Sequence, residues 1–157
     1  METVFDEIDI EILKQLQANS RLSVRELSSK VHRSPTAVFE RVHRMEQKGV
    51  IKAYTINLDI EKIGLGFVVF CNVKLRKINT EIHEQFAEAV LKMPEVAECF
   101  NVSGSFDYLL KVQVPDMKSY RRFVTERLGR LNALESVQSV FCMQTIKQEF
   151  PVAALSV

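Results

Sequence analysis

The chain has 157 residues and a net charge of +1; 46% of its residues are hydrophobic and 26% are charged. This composition is typical of a globular protein and excludes a disordered chain, and the length suits one ordinary domain or two small ones. No apolar run approaches the roughly 18 to 20 residues that cross a bilayer, and Met1–Ile10 lacks the features of a secretory signal. Because Cys71, Cys99 and Cys142 form no C-x-x-C pair, we expect neither a disulfide framework nor a zinc site, and we expect a cytoplasmic protein.

The small net charge hides an uneven distribution along the chain. Residues 1–19 carry one cation against five carboxylates, a net of −4. Residues 20–52 carry eight cations against three carboxylates, a net of +5, and the remainder is close to neutral. A local basic block is what a phosphate-binding surface needs, and a plain solvated face is the alternative interpretation.

The N-terminal 50 residues predict three short helices. Asp6 or Asp9 can cap the first helix, whose acidic first turn suits the helix dipole. Its apolar residues recur at helical spacing; they are Phe5, Ile8, Ile12, Leu13 and Leu16. Ser23 and Glu26 have the spacing of a capping box for the second helix. Ser34-Pro35 begins the third helix and Gly49 ends it.

Only Val31 to Arg33 separate the second and third helices, which predicts a helix-turn-helix arrangement. After it, residues 50–56 alternate weakly and indicate a short extended segment. Four strands and two helices are then expected, in the order β-α-β-β-α-β. The strands are Phe67–Leu75, Val96–Val102, Tyr108–Val114 and Val137–Ile146, and the helices run from about Thr80 (cap) to Met93 and from Asp116 (cap) to Leu131.

This order indicates a ferredoxin-like unit, one antiparallel sheet with two helices on one face. The expected fold class is therefore α+β, with a helix-turn-helix domain over residues 1–54, a linker over 55–65 and a ferredoxin-like domain over 66–157. Apolar residues point to both sides of the first and last strands. We therefore expect a second copy of the chain to bury the uncovered sheet face.

The third helix has a polar face that is chemically able to read DNA. At 100° per residue, Val38, Val42 and Met45 define its core side. Thr36, Glu40, His43 and Gln47 lie opposite, with Ala37, Arg44 and Lys48 on the adjoining flank. Residues of these types can contact base edges and phosphates in a major groove, whereas ordinary solvent exposure is the alternative.

Individual side chains of this helix have distinct expected roles. Arg44 can make a bidentate contact to guanine or pair with phosphate. Glu40 can accept a hydrogen bond from a cytosine amine or orient Arg44. Arg41 lies nearer the core edge, where we expect it to pair with Glu26 or with a carbonyl at a helix C-terminus.

Enzymatic motifs are missing from the sequence. His32, His43 and His83 show no ligand-like spacing with the cysteines, so no metal site is expected. Ser103-Gly104-Ser105 resembles a nucleophile motif, but no histidine follows His83 to serve as its base. Phosphate-binding glycine loops of the nucleotide-binding types are also absent.

The segment Asn101–Asp107 is a candidate ligand loop. Gly104, between two serines, must turn the chain and leaves backbone N–H groups available for an anion. Asp107 can hold an ammonium group, so the loop suits a zwitterion such as a free amino acid. A plain hairpin turn with a side-chain hydrogen bond from Asp107 is the alternative.

Six motifs spread over both predicted domains resemble one known family. They are D-I-x-I-L over residues 9–13, L-Q-x-N-x-R over 16–21, S-P-T-x-V-x-x-R-V-x-R over 34–44, E-x-x-G-V-I over 46–51, V-S-G-S-F-D-Y-L-L over 102–110 and V-P-D-M over 114–117. Together they resemble the Lrp/AsnC (leucine-responsive/asparagine-responsive) transcriptional regulators, closest to the leucine-responsive branch. The resemblance extends from Asp6 to about Glu149.

The resemblance implies a winged helix-turn-helix joined to a RAM (regulation of amino acid metabolism) domain, with dimers formed through the sheets, frequent octamers, and an amino acid bound between protomers. It places on the DNA-reading helix Ser34, Thr36, Ala37, Glu40, Arg41 and Arg44. It places on the ligand loop Asn101, Gly104, Ser105 and Asp107, and on the strand facing it Val140, Phe141 and Cys142. Ser105 stands where some relatives carry an acid. Val140 and Cys142 are small, so a medium apolar, leucine-like effector would fit.

The sequence therefore predicts a DNA-binding transcriptional regulator, not an enzyme, with no metal and no cofactor other than an amino acid effector. Its expected partners are double-stranded DNA and further copies of itself, with no membrane. The alternative is an oligomeric small-molecule sensor that does not bind DNA directly.

Overall fold

The structure is a computed structural model that describes residues 5–77, 79–148 and 152. It divides into two compact units. Leu58–Ile146 form one unit, and the described residues before and after this stretch form the other.

The first unit contains the three predicted helices, α1 (Glu7–Ala18), α2 (Val24–Val31) and α3 (Pro35–Gln47). Each begins at a side-chain cap. The Asp6 carboxylate accepts from the Asp9 amide, and Ser23 with Glu26 forms the predicted capping box. The Ser34 hydroxyl accepts from the Ala37 amide. Because each cap satisfies a backbone N–H with no partner inside the helix, these residues set where the helices start.

The turn between α2 and α3 is as tight as predicted. His32 ends α2 in the left-handed region at φ 52°, which reverses the chain without a glycine. A shared core then fixes the three helices; it comprises Ile12, Leu16, Leu27, Val31, Val38 and Met45. Residues 50–58 form no hydrogen-bonded strand within the described chain. Instead, Val50 and Ile51 pack against this core.

The second unit confirms the ferredoxin-like order β-α-β-β-α-β. Its elements are β1 (Phe67–Leu75), α4 (Thr80–Leu91), β2 (Val96–Asn101), β3 (Tyr108–Val114), α5 (Met117–Glu126) and β4 (Leu134–Phe141). The strands form one antiparallel sheet in the order β2-β3-β1-β4. No helix in the described part of the chain is long and apolar enough to cross a membrane.

Several predicted boundaries were wrong by a few residues. Asn79, not Thr80, caps α4, because its side-chain oxygen accepts from the Ile82 amide at 2.9 Å. α5 ends at Glu126, and a short 3-10 turn follows it. β4 spans Leu134–Phe141 instead of Val137–Ile146. The last pair in the register is Phe141 with Val69, and beyond it the Cys142 amide still donates to the Val68 carbonyl at 3.0 Å.

Helices α4 and α5 pack on one face of the sheet, and the opposite face is more exposed. Phe86 of α4 and Phe123 of α5 belong to the buried cluster that includes the inward side of β1. On the opposite face, Phe70 lies between Val140 of β4 and Lys111 of β3 in the register. Phe70 and Lys111 are half-buried and Val140 is exposed, so this face carries apolar surface open to a further layer.

Candidate nucleic-acid interface and effector loop

The outward face of α3 is exposed over most of the predicted DNA-reading residues. Ser34, Thr36 and Glu40 are exposed, whereas Ala37 is half-buried. Val38 and Met45 are fully buried on the other side, as the helical wheel predicts. The helix therefore presents one polar side to solvent while its apolar stripe fixes its rotation.

An aromatic pair that the sequence reasoning missed also lies on this face. The Phe39 ring is 56% exposed and stacks on the His43 imidazole, with ring centroids 5.9 Å apart and planes inclined by 8°. The helical spacing indicates that the Phe39 ring is exposed, since Phe39 does not lie on the buried stripe that Val38 and Met45 define. An exposed apolar ring among polar groups is able to contact a thymine methyl group.

Arg41 and Arg44 are both bound to acidic residues of α1. Arg41 Nη1 lies 2.7 Å from Asp6 Oδ2 and 2.8 Å from Asp9 Oδ1. Arg44 Nη2 lies 2.8 Å from Asp9 Oδ2. The expected pairing of Arg41 with Glu26 or a carbonyl was wrong, because Glu26 is occupied by the capping box with Ser23.

This cluster combines a buried carboxylate with accessible cations. Asp9 is 2% exposed, whereas the Arg44 side chain is 47% exposed. Hydrogen bonds to Asp6 and then Asp9 raise the pKa of Arg41, while the Asp9 amide and then Arg41 lower the pKa of Asp6. Both groups therefore stay charged near neutral pH. Asp9 fixes one edge of the Arg44 guanidinium and leaves its other N–H groups free to reach a phosphate.

The candidate ligand loop is a tight connection between β2 and β3. The Val102 amide and the Asn101 side-chain amide both donate to the Asp107 carbonyl at 2.9 Å. Gly104 adopts φ 113°, a conformation that side chains disfavour. The amides of residues 103–106 make no hydrogen bond to any described group. Donors of this kind, beside two exposed serines, suit a carboxylate ligand.

The Asp107 carboxylate points into the protein and is already paired. It accepts from the Leu75 amide at 2.8 Å and from Lys74 Nζ at 3.1 Å, and the residue is 9% exposed. The Leu75 hydrogen bond and then Lys74 lower the pKa of Asp107. Tyr108 beside it hydrogen-bonds to His83 Nδ1 at 2.8 Å. Sequence reasoning missed Lys74 and His83, which lie on other elements.

A single chain does not bring Val140, Phe141 and Cys142 to this loop. The register pairs Phe141 with Val69, while the Asp107 amide donates to the Val73 carbonyl. Four residues along a strand separate the two places by about 13 Å. A site that includes both sets therefore requires a second chain.

Metal-binding clusters are not found in the part of the chain that the structure describes, where no three His, Cys, Asp or Glu side chains gather in a suitable group. The three cysteines are free thiols. Cys71 hydrogen-bonds to Tyr120, and the Tyr120 hydroxyl in turn contacts Ser139.

Comparison with known families confirms the resemblance that the motifs carry. Residues 68–152 match the model of the Lrp/AsnC ligand binding domain, and residues 5–52 match a winged helix-turn-helix DNA-binding model. The leucine-responsive regulatory proteins of Klebsiella pneumoniae and Escherichia coli K12 are each 42% identical to this chain over 143 residues, covering 91% of this chain and 87% of theirs.

Solved structures show the same architecture. A transcriptional regulator from Neisseria meningitidis in complex with L-methionine superposes with a TM-score of 0.88 at 36% identity, covering 93% of this chain and 94% of that one. An AsnC family transcriptional regulator from Agrobacterium tumefaciens gives a TM-score of 0.88 at 35% identity, covering 92% and 94%.

Proposed function

Because the chain belongs to the Lrp/AsnC family of transcriptional regulators, with a helix-turn-helix DNA-binding domain and an amino acid-binding domain, we propose specific residues and a specific effector class for it. The outward face of α3 enters the major groove of DNA, and an apolar amino acid binds at the loop between β2 and β3. The effector changes DNA affinity or the state of assembly.

The observation that carries the DNA proposal is the exposed face of α3 itself. Thr36 and Glu40 are exposed, Glu40 forms no ion pair with a described residue, and in this proposal both side chains contact base edges. Arg44 is held by Asp9 with part of its guanidinium exposed, which suits a phosphate contact. Ser34, Ala37 and Arg41 lie beside them, at the cap and along the flank of the same helix.

Alanine substitution tests the role of Arg44. Arg44→Ala should reduce the slope of log affinity against log salt by about 0.9 per contacting chain, because one phosphate contact is lost, and it should leave the oligomer mass unchanged. Lys62→Ala is the matched control, since it also removes an exposed, ion-paired cation but lies outside the helical unit. An unchanged slope for Arg44→Ala would contradict the contact.

Measuring DNA binding by the wild-type protein over the same salt series distinguishes a DNA-binding regulator from a small-molecule sensor that does not bind DNA. A protein that retains no genomic DNA fragment at any salt concentration would be a small-molecule sensor without direct DNA binding. Salt-dependent retention supports the regulator.

The effector proposal rests on the free amides of residues 103–106 and on the nearby carboxylate of Asp107. The amides would hold the ligand carboxylate, and its ammonium group would compete with Lys74 for Asp107. Val140, Phe141 and Cys142 of a second protomer would complete the site, which accounts for their separation from the loop within one chain. The L-methionine complex of the Neisseria regulator favours a medium apolar side chain, leucine or methionine in class.

A melting-temperature screen against the standard amino acids tests this site. An apolar amino acid at about 100 times its dissociation constant should stabilise the protein by about 2.7 kcal/mol. Asp107→Asn should remove the shift while DNA binding without the amino acid persists, and Glu98→Gln, on the neighbouring strand, is the control. A full response in Asp107→Asn would exclude Asp107 from the site.

The partners and location follow from the same proposal. The partly apolar open face of the sheet supports a homodimer, from which an octamer can be built. The protein has no catalytic role in this account, requires no metal, and acts in the cytoplasm, where it meets DNA.

A further inference from the structure

The two helices on the covered face of the sheet carry opposite charge. α4 exposes Glu81, Glu84 and Glu88. α5 exposes Lys118, Arg121 and Arg122. Two more cations follow α5 directly, at Arg127 and Arg130. The near-neutral charge of this half of the sequence therefore conceals a basic surface, which we call the α5 basic face and define as Lys118, Arg121, Arg122, Arg127 and Arg130.

The cations of the α5 basic face are largely free of carboxylate partners. In the described residues, Lys118, Arg121, Arg122 and Arg130 form no ion pair. Arg127 is the member of the face that has an ion pair in the described chain, with Nε 3.7 Å from Glu95 Oε1. Asp116 lies near Lys118, and hydrogen bonds from Ser119 and then the charge of Lys118 lower the pKa of that carboxyl. Arg41 and Arg44 of α3 differ in this respect, since α1 carboxylates bind both. The α5 basic face therefore keeps its charge for an external anion.

The shape of the surface suits an extended anion. Lys118, Arg121 and Arg122 line a shallow groove of about 460 Å³, in which the three cations outnumber the two carboxylates, Asp116 and Glu126. A second groove of about 360 Å³ is lined by Arg127 and Arg130, and the two grooves share Glu126. From residue 118 to 126 the helix rises by about 12 Å, a length over which duplex DNA carries several phosphate charges.

We propose that the α5 basic face is a second DNA-contact surface, which binds the sugar-phosphate backbone without reading sequence. The inference rests on the proposed DNA-binding function and extends it to the ligand-binding unit. Each unit then contributes one contact of a different kind, base edges at α3 and phosphates at α5.

A second protein copy is the competing occupant, because the α4 carboxylates complement the α5 cations. The chemistry of the face favours DNA. Protein interfaces have apolar, charge-poor centres, whereas DNA interfaces are polar and strongly positive. Met117, at the first position of α5, is exposed, but the other exposed residues along the helix are all polar or charged and form no apolar centre for a protein partner.

The test removes two charges in the full-length protein. Arg121→Gln/Arg122→Gln is compared with Lys62→Gln/Lys77→Gln, which removes the same charge from exposed positions outside α5. Affinity is measured on a duplex of about 150 bp, one persistence length, that carries a fragment selected by the wild type. Salt is varied from about 50 to 200 mM.

The α5 variant should lower the salt slope by about 1.8 for each chain whose α5 contacts DNA, with the largest loss of affinity at low salt and an unchanged sequence preference. The control should keep the wild-type slope. Equal slopes in the two variants would overturn the α5 inference alone, whereas a wild type that binds no DNA would overturn the proposed function as well. A change of oligomer mass without DNA in the α5 variant would assign the face to a second copy.

Discussion

In its described part, each unit has one buried aspartate beside its candidate binding surface, and the two carboxylates differ in their closest hydrogen-bond donors. Asp9 is bound by the side chains of Arg41 and Arg44, which belong to the proposed DNA-reading helix. Asp107 is bound by a main-chain amide and Lys74, which lie on the neighbouring strand β1. Changes at Asp9 should therefore reach the exposed side chains of α3, whereas changes at Asp107 should act on the conformation of a loop.

The largest effect is expected at Asp9. Asp9→Ala removes the only carboxylate that binds both Arg41 and Arg44 within the described chain. It should lower the free energy of unfolding by about 3 kcal/mol. This is the lower end of the range for a broken buried ion pair, because both arginines reach solvent. Amide hydrogen exchange in α1 and α3 measures this loss within the helical unit. Glu11→Ala on the same helix is the control. Equal protection of the backbone amides from hydrogen exchange in the two variants would show that Asp9 does not bind α3 to α1.

A smaller loss is expected at Asp107. Asp107→Ala leaves the Leu75 amide without its acceptor and should cost about 2 kcal/mol in the sheet unit, measured by exchange in β1 and β3. Glu98→Ala is the control, because the Glu98 carboxylate is more exposed than that of Asp107 and its ion pair with Lys111 should be worth less than about 1 kcal/mol. A larger loss of unfolding free energy in Glu98→Ala than in Asp107→Ala would contradict the difference assigned to the buried and the exposed carboxylate.

Lowering the pH should reduce the difference in unfolding free energy between the wild type and Asp107→Asn. Because hydrogen bonding lowers the folded pKa of Asp107 below its ordinary value of 3.8, the stabilisation is fully present above pH 3.8 and is lost as the pH falls through the folded value. The difference in unfolding free energy between the two proteins should therefore be constant near neutral pH and shrink below 3.8. A difference that grows in acid would contradict the assigned hydrogen bonds.

The smallest expected effect concerns the turn of the helix-turn-helix. His32→Gly should stabilise the helical unit by about 0.5–1 kcal/mol, because glycine adopts the left-handed conformation of this position without a side-chain penalty. Slower exchange in α2 and α3, with β1 and β3 unchanged, would support this prediction. Faster exchange in α2 and α3 would show that the imidazole makes a net stabilising contribution.

Much of the fold could be predicted because its signals are local. The caps at Ser23 and Ser34 and the stripe of apolar residues on α3 each lie within a few positions of the element that they define. The end of β4 was misplaced because it depends on where pairing with β1 stops, and β1 is far away in the sequence. A run of apolar residues cannot carry that information.

The candidate sites were less accessible to sequence reasoning. The pairing of Asp9 with Arg44 joins residues 35 positions apart, and nothing in the local pattern of either helix indicates it. Lys74 likewise reaches Asp107 only because β1 lies beside β3 in the sheet. The basic face of α5 was hidden by acids elsewhere in the same unit, since net charge does not show how charges are distributed over a surface.

The proposed function depends above all on the exposed side of α3 reading DNA bases. Selection of binding sequences from a random duplex library by the wild type and by Thr36→Val/Glu40→Gln tests it most directly. The double variant should lose its preference at neighbouring positions of each half-site while its salt slope stays the same, because neither side chain is a phosphate-binding cation. Identical selected sequences for the two proteins would contradict base reading by α3.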